Sequence, residues 1–453
     1  MKILCVGAGG SGMGAIVRWH LALHDTVAVA DDIVSAEKLA AQYPGAEIWK
    51  MDESFRPDRT VFSDAIPAAH PLRAYAKERG LRETSFPEEL GVLCEGRRVV
   101  AVTGTHGKST TTALLSWALA SAGKDPLCFI GAEIPTWNGN FRWGTGPVVV
   151  EADEYRKHFL ALHPETVVVT SLEMDHFDTY ADEAALLATF VEFCSRPSVR
   201  RVAIAHGRPL LEDLARELGD LSGFDPDKFE VFRFGAPGDF VAIGDERYKA
   251  GQCSVTLAVE GKYRSLMYPA TTCPHLSNLA GVVAVLVAEK ISWEEIEKGI
   301  ASFPGIRRRL EFVSLFGGAK IYSDYAHHST AVAETLAVCR KIWPSARIGV
   351  LFEPHERLRT SQLQKEYAGA FGLADAVGAL PVYDPVGRER KDIEDAACRI
   401  TAANIAQIPD YDAGFAWMKK FADDSRGNDA IIIVMGAGPI DGQMRKRMTA
   451  PRL

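Results

Sequence analysis

The chain opens on a short apolar run, Lys2-Ile-Leu-Cys-Val6, which passes through Gly7-Ala-Gly-Gly-Ser-Gly12 into Met13, Ile16 and Val17 at helical spacing. Strand, glycine turn and helix in that order predict the start of a βαβ unit. Val27-Ala-Val-Ala30 reads as a second strand ending at Asp31-Asp32, and Val61-Phe62 as another, stopped by Ser63-Asp-Ala-Ile-Pro67. A second start signal follows: the β-branched run Arg98-Val-Val-Ala-Val-Thr103, the turn Gly104-Thr-His-Gly-Lys-Ser109, and helical spacing from Thr110 to Ala122, stopped by Gly123. Further strands are predicted at Pro147–Val150, Thr166–Thr170 and Arg201–Ile204. Strands alternating with helices predict an α/β fold with mostly parallel sheets. From about Phe229 to Tyr268 the runs are short and alternate, and they are separated by Gly and charged turns. This predicts a small antiparallel excursion, followed by a buried helix over Asn278–Glu289. After Phe303-Pro-Gly-Ile306, the runs Arg347–Phe352 and Ala430–Met435 read as buried parallel strands, the second ending in Gly436-Ala-Gly438.

The length, 453 residues, suits about three domains. They are expected over 1–96, 97–304 and 305–453, the first and third Rossmann-like and the middle one built around the second glycine turn. Composition is ordinary for a globular protein, 47% hydrophobic and 24% charged. The formal charge of -8 gives no general attraction to a polyanion, so neither nucleic acid nor an anionic membrane is expected as a partner. Eight scattered cysteines form no C-x-x-C pair, which argues against a disulfide framework and a zinc knuckle. There is no leader pattern and no long apolar window, so a cytoplasmic protein is expected. Oligomeric state is not legible.

Gly104-Thr-His-Gly-Lys108-Ser109 carries the strongest chemical signal. A glycine turn between strand and helix points backbone N–H groups at one spot, and the helix N-terminus adds positive potential there. Lys108 suits the β- and γ-phosphates, and the Ser109 hydroxyl suits Mg²⁺. Val102 stands where the usual phosphate-binding loop has its first glycine, so the loop is a shortened form. Val149-Val-Glu151-Ala-Asp-Glu154 and Ser171-Leu-Glu-Met-Asp175-His176 are strand ends rich in acid and imidazole. Carboxyl ends of strands are where doubly wound sheets meet ligands. Oxygen donors suit Mg²⁺, and a histidine beside them suits Mn²⁺ as well.

Gly7-x-Gly9-x-x-Gly12, with Asp31 or Asp32 about twenty residues on, also fits a dinucleotide fingerprint. It keeps an NAD-dependent oxidoreductase open as a rival. A non-catalytic nucleotide-binding regulator is a second rival. Further along stand Arg307-Arg-Arg309, Ser323-Asp-Tyr-Ala-His327-His328-Ser329, and His355 with Arg359 just beyond an apolar strand. Adjacent histidines point in different directions and chelate poorly, but one can meet a phosphate while the other packs.

Together these segments resemble the Mur ligase family, ATP-dependent amide-forming enzymes of peptidoglycan synthesis, along nearly the whole chain. Gly7–Met13 is similar to the family's UDP-sugar loop, Ser63–Pro67 to a second first-domain signature, and Gly104–Ser109 to its shortened phosphate loop. Glu151–Glu154 and Asp175–Tyr180 resemble its metal-binding segments, and Asp324–His328 with Pro354–Thr360 its third-domain motifs. Asp324 and His355 thus stand in segments similar to known ones. Phe190-Val-Glu-Phe193 offers no lysine where most members carry a carbamylated one, which resembles the members that add L-alanine. Glu151–Tyr155 and Asn140-Phe-Arg142 are instead similar to the members that add a recycled peptide.

The resemblance implies joining of L-alanine to the muramoyl carboxylate of UDP-N-acetylmuramate through an acyl phosphate. The alternative is addition of the L-Ala-γ-D-Glu-diaminopimelate peptide. It implies UDP-sugar contacts from Gly7, Ala8, Gly9, Gly10, Ser11, Gly12, Asp31, Ser63, Ala65 and Ile66. ATP would meet Gly104, Thr105, His106, Gly107, Lys108, Ser109, Thr110, Asn278, Arg309, Asp324 and His327. Mg²⁺ (or Mn²⁺) would be held by Ser109, Glu151 and His176, with Lys108, Glu151 and His176 catalytic, and the amine would meet His328, His355 and Arg359.

Overall fold

A computed structural model describes residues 1–50, 55–220, 229–273, 275–385, 390–426 and 429–449. Its chain divides into two compact units.

The first unit comprises residues 1–172, 184–233 and 285–295. Its N-terminal sheet has five parallel strands in the order Glu47–Ile48, Thr26–Ala30, Lys2–Val6, Arg59–Phe62, Arg82–Ser85. The expected strand–glycine–helix start is present: Lys2–Val6 is followed by the helix Ser11–Ala22. Leu4, Val6, Ala28, Phe62 and Leu72 close an apolar core on this sheet. The second set of strands in this unit runs in the order Arg201–Ala205, Thr166–Val169, Val99–Thr103, Val148–Glu151, Leu127–Ile134, Gly139–Arg142. All of its pairings are parallel except the closing hairpin. Val99–Thr103 is flanked on both sides and wholly buried, which is why it reads as a continuous β-branched run. The helix after it is Lys108–Ser121, beginning two residues before the expected start because Lys108 and Ser109 already lie in its first turn.

The second unit comprises residues 173–183, 234–284 and 296–453. Val241–Lys249, Gln252–Val259 and Lys262–Pro269 form the expected antiparallel excursion. Its first piece differs from expectation: the end of Glu230–Gly235 pairs in parallel with Val241 and Ala242. The link Ala236–Phe240 therefore cannot be a tight hairpin, since such a turn reverses the chain.

The C-terminal sheet has the order Glu311–Phe316, Ala319–Asp324, Ala430–Met435, Arg347–Phe352, Ala376–Ala379, Ile405–Gln407. Only its first pair is antiparallel. Along Ala430–Met435 the side chains alternate between two cores. Ile431, Ile433 and Met435 pack with Phe352 and Phe371, whereas Ile432 and Val434 pack with Phe421 and Leu351. Burial on both faces explains the unbroken apolar run.

Candidate active site

In the first unit the turn after Val99–Thr103 is fastened to the neighbouring strand end. The His106 N–H donates to Ser171 Oγ at 2.7 Å and the Thr105 N–H to the Ser171 carbonyl at 3.2 Å. The Thr170 hydroxyl donates to the His106 carbonyl. Gly104 has φ +125°, and a Cβ there would lie 2.6 Å from the Ser171 carbonyl oxygen. Only glycine fits both the angle and the approach.

The helix then starts at Lys108, whose Nζ donates to the Gly104 carbonyl at 2.8 Å and to the two Glu154 oxygens at 2.9 and 2.7 Å. Burial would lower the Lys108 ammonium, but Glu154, with Asp153 and Glu151 beyond it, holds it well above its ordinary value. Lys108 is therefore a fixed cation at the mouth of the turn. Ser109 Oγ donates to Glu151 Oε1 at 3.0 Å, and the Gly131 N–H donates to Glu151 Oε2 at 2.6 Å. Burial raises the Glu151 carboxyl, against the pull of Lys108. A hydroxyl and a half-buried carboxylate side by side are the oxygen donors a hard divalent cation takes, so the residues present fit one.

The first glycine loop belongs to the same unit. The Gly9 N–H donates to Asp31 Oδ2 at 2.7 Å, while Asp31 Oδ1 accepts from the Ile33 and Val34 N–H groups at 2.9 and 2.8 Å. Asp31 thus ties the glycine loop to the end of Thr26–Ala30. The Ser63 N–H donates to the Val6 carbonyl at 3.0 Å and the Ile66 N–H to the Ser63 carbonyl at 3.0 Å, so Ser63, Ala65 and Ile66 form a turn beside Gly7. A cavity of about 280 Å³ runs from the first glycine turn to the strand end that carries Glu151. Ser11 and Gly12 form part of its wall, and Gly131, Glu151, Asp153 and His158 form another.

The remaining expected residues lie in the second unit. Arg359, 3% exposed, donates from Nε to Asp175 at 2.7 Å. Burial opposes the Asp175 charge, but Arg359, with His176 and His328, holds that carboxyl well below the usual range. His176 follows directly at φ +53°. Asp324 accepts from the Leu310 and Ala326 N–H groups, both at 2.8 Å, so its carboxylate shapes the turn after its strand. Arg309 lies over the Tyr325 ring, 5.1 Å from its centroid. His327 and His355 lie 5.5 Å apart, centroid to centroid, and the His355 and Tyr383 rings 5.8 Å apart. Burial, then Arg359 and His355, depress His327 well below the ordinary imidazole value. His328 caps the helix Ser329–Ile342, its side chain accepting from the Thr330 N–H. Asn278 sits, mostly buried, in the first turn of Leu276–Ala288.

Sequence reasoning missed the Lys108–Glu154 pair, the fastening by Thr170 and Ser171, and the ion pair of Asp64 with His158. The acid run 151–154 was visible, but which acid meets the lysine depends on the backbone turn that follows it. Asp64 and His158 carried no signal, because nothing local links positions so far apart in sequence.

A strand-to-helix glycine turn gripping a half-buried lysine, beside a hydroxyl–carboxylate pair at a strand end, defines an α/β enzyme of the phosphate-loop nucleotide class. Two family profiles match. Mur ligase middle domain covers residues 102–220, and Mur ligase, glutamate ligase domain covers 308–438. Among curated relatives, the UDP-N-acetylmuramate--L-alanine ligase of Acidothermus cellulolyticus is 34% identical, across 84% of this chain and 80% of its own. That of Saccharopolyspora erythraea is 33% identical, across 97% of this chain and 91% of its own. The chain belongs to the Mur ligase family and is an ATP-using, amide-forming ligase.

The fold agrees. A UDP-N-acetylmuramate-alanine ligase from Thermotoga maritima superposes with TM-score 0.79 at 21% identity, over 98% of each chain. A murein peptide ligase from Psychrobacter arcticus gives 0.70 at 24%, over 99% of this chain and 98% of its own. Neither the oxidoreductase nor the regulator rival accounts for this membership. Among the described residues no helix is long and apolar enough to cross a membrane, and all eight cysteines are buried without a disulfide.

Proposed function

We propose that this chain joins L-alanine to the muramoyl carboxylate of UDP-N-acetylmuramate, using ATP. The observation that carries the reading is the cavity in which the first glycine turn, at Ser11 and Gly12, shares a wall with Glu151 of the phosphate-loop cluster. A sugar nucleotide held at the first turn can thereby bring its carboxylate to the phosphate held at the second. The relatives' shared name supports L-alanine as the amine. The Psychrobacter likeness, at 24% identity, bears on fold alone.

In this reading residues 1–96 bind the sugar nucleotide, 97–304 bind ATP and 305–453 bring the amine. The carboxylate attacks the γ-phosphorus, the bond to the bridging oxygen of ADP breaks, and an acyl phosphate forms. The amine attacks the acyl carbon, phosphate leaves and the nitrogen loses a proton. Two anions meet in the first step, and their repulsion is large where water is scarce. Lys108 and the backbone N–H groups of residues 105–109 offset it by spreading charge over the transferring phosphoryl group. Ser109 and Glu151 would hold a Mg²⁺, which would supply further positive charge to offset that repulsion. From the second unit, His176 is assigned as a further metal ligand. Asn278, Arg309, Asp324 and His327 are assigned to the nucleotide, and His328, His355 and Arg359 to the amine, on the family resemblance.

Phosphate release with UDP-N-acetylmuramate and ATP, comparing L-alanine, L-serine, glycine and the L-Ala-γ-D-Glu-diaminopimelate peptide, tests the assignment. L-Alanine should give the highest kcat/KM. Release that favours the peptide instead would move the chain to the recycling reaction.

A further inference from the structure

The side chain of His158 lies on the cavity wall, at the end of an unusual stretch of backbone. Arg156 and Lys157, just before it, both adopt left-handed backbone at φ +48° and +60°. That conformation is unfavourable for L-residues other than glycine and is rarely repeated. Hydrogen bonds hold it: the Lys157 N–H donates to the Glu154 carbonyl and the Phe159 N–H to the Asp153 carbonyl, both at 2.9 Å. Strain over-determined in this way clusters at functional sites. Its result is to deliver the imidazole to the cavity, edge-on to Phe86 and Tyr155.

Asp64 then fixes the ring by pairing with Nε2, which leaves Nδ1 for a ligand. The other charged lining groups among the described residues, Glu151 and Asp153, are acidic. Among the lining side chains of the described residues, His158 is the basic one that an anionic substrate can meet. Asp64 sits between Ser63 and Ala65, so the pair also links the first-domain turn to the segment that follows Glu151.

We propose that His158, oriented by Asp64, is the anchor whose imidazole binds an oxyanion of the sugar-nucleotide substrate. His158 is thus a specificity-determining residue, and Asp64 a positioning residue. The proposal rests on the functional reading above. The oxyanion is either the diphosphate or the sugar's carboxylate, and two ligands separate them. UDP-N-acetylmuramate carries both groups, whereas UDP-N-acetylglucosamine lacks the carboxylate.

The test is calorimetric binding of each ligand to the full chain and to H158Q and D64N, with KM for ATP and the melting temperature measured alongside. H158Q should weaken UDP-N-acetylmuramate roughly 10- to 100-fold, the range for a lost hydrogen bond to a charged group, and leave KM for ATP unchanged. Loss toward both ligands assigns the diphosphate; loss toward the muramate alone assigns the carboxylate. D64N should show a smaller loss of the same ligand with KM for ATP unmoved. H158Q binding within twofold of wild type for both ligands overturns the anchor. D64N that lowers only the melting temperature overturns the orienting role. Should H158Q fail to fold, the His158 ring resonances of the wild-type protein carry the test: added UDP-N-acetylmuramate shifts them if the anchor is real and leaves them unmoved if it is not. A wild-type chain that binds neither ligand would instead overturn the functional reading together with the proposal.

Discussion

Lys108 does two things that one substitution separates. It is the cation proposed for the phosphates, and it is the partner of Glu154, which is 2% exposed. Lys108→Ala should abolish most ADP formation while leaving UDP-N-acetylmuramate affinity near wild type. It should also lower stability by about 3 kcal/mol, because a buried carboxylate loses its partner. Urea melts check the second effect and ADP release the first; ADP release at the wild-type rate would remove Lys108 from the reaction. His176→Ala should raise the Mg²⁺ concentration needed for half-maximal activity, and an unchanged Mg²⁺ titration would remove it from the metal's ligands. Both residues were legible in the sequence, because their chemistry depends on a short motif. His158 was not: its neighbours Phe86 and Asp64 come from other elements, and no spacing within 155–161 announces them.

Helix Phe86–Cys94 holds the cavity wall through two features. Glu89 is fully buried and takes Arg59 Nη1 at 2.9 and 2.8 Å, with the Thr84 hydroxyl at 2.9 Å and His20 Nε2 at 3.2 Å. Burial opposes its ionisation, but His20 and Arg59 outweigh that and hold the carboxyl below its ordinary value. The stabilisation is therefore complete above the unfolded value near ~4.3 and is lost as pH falls through the lower folded value. Glu89→Gln should cost about 3 kcal/mol at pH 7, with a difference from wild type that shrinks below about pH 4; a constant difference in urea melts from pH 7 to 3 would refute the charge argument. The second feature is Gly91, where a Cβ would lie 2.4 Å from the Ala161 carbonyl oxygen. Gly91→Ala must push the segment Tyr155–Ala161 away and should cost about 1–3 kcal/mol, read as a lowered urea midpoint.

Elements were more legible than their partners. The β-branched and apolar runs located the buried strands because burial on both faces leaves no polar position. The parallel step between Glu230–Gly235 and Val241 was not legible, because alternation fixes which side chains face inward and leaves strand direction open.

At the scale of the whole molecule, the proposed reaction brings a sugar nucleotide at the first glycine turn to a triphosphate at the second, past a cavity walled by Ser11, Gly12 and Glu151. That arrangement favours attack by the sugar's own carboxylate over attack by water, because the acyl phosphate survives only where water is excluded. The most direct measurement uses UDP-N-acetylmuramate labelled with ¹⁸O in its carboxylate, turned over with ATP and L-alanine. An acyl phosphate intermediate requires labelled oxygen to appear in the released phosphate, since the C–O bond broken in amide formation leaves its oxygen on phosphorus. Phosphate free of label, formed at the same rate with or without the sugar nucleotide, would mean that water attacks ATP and that no acyl phosphate forms.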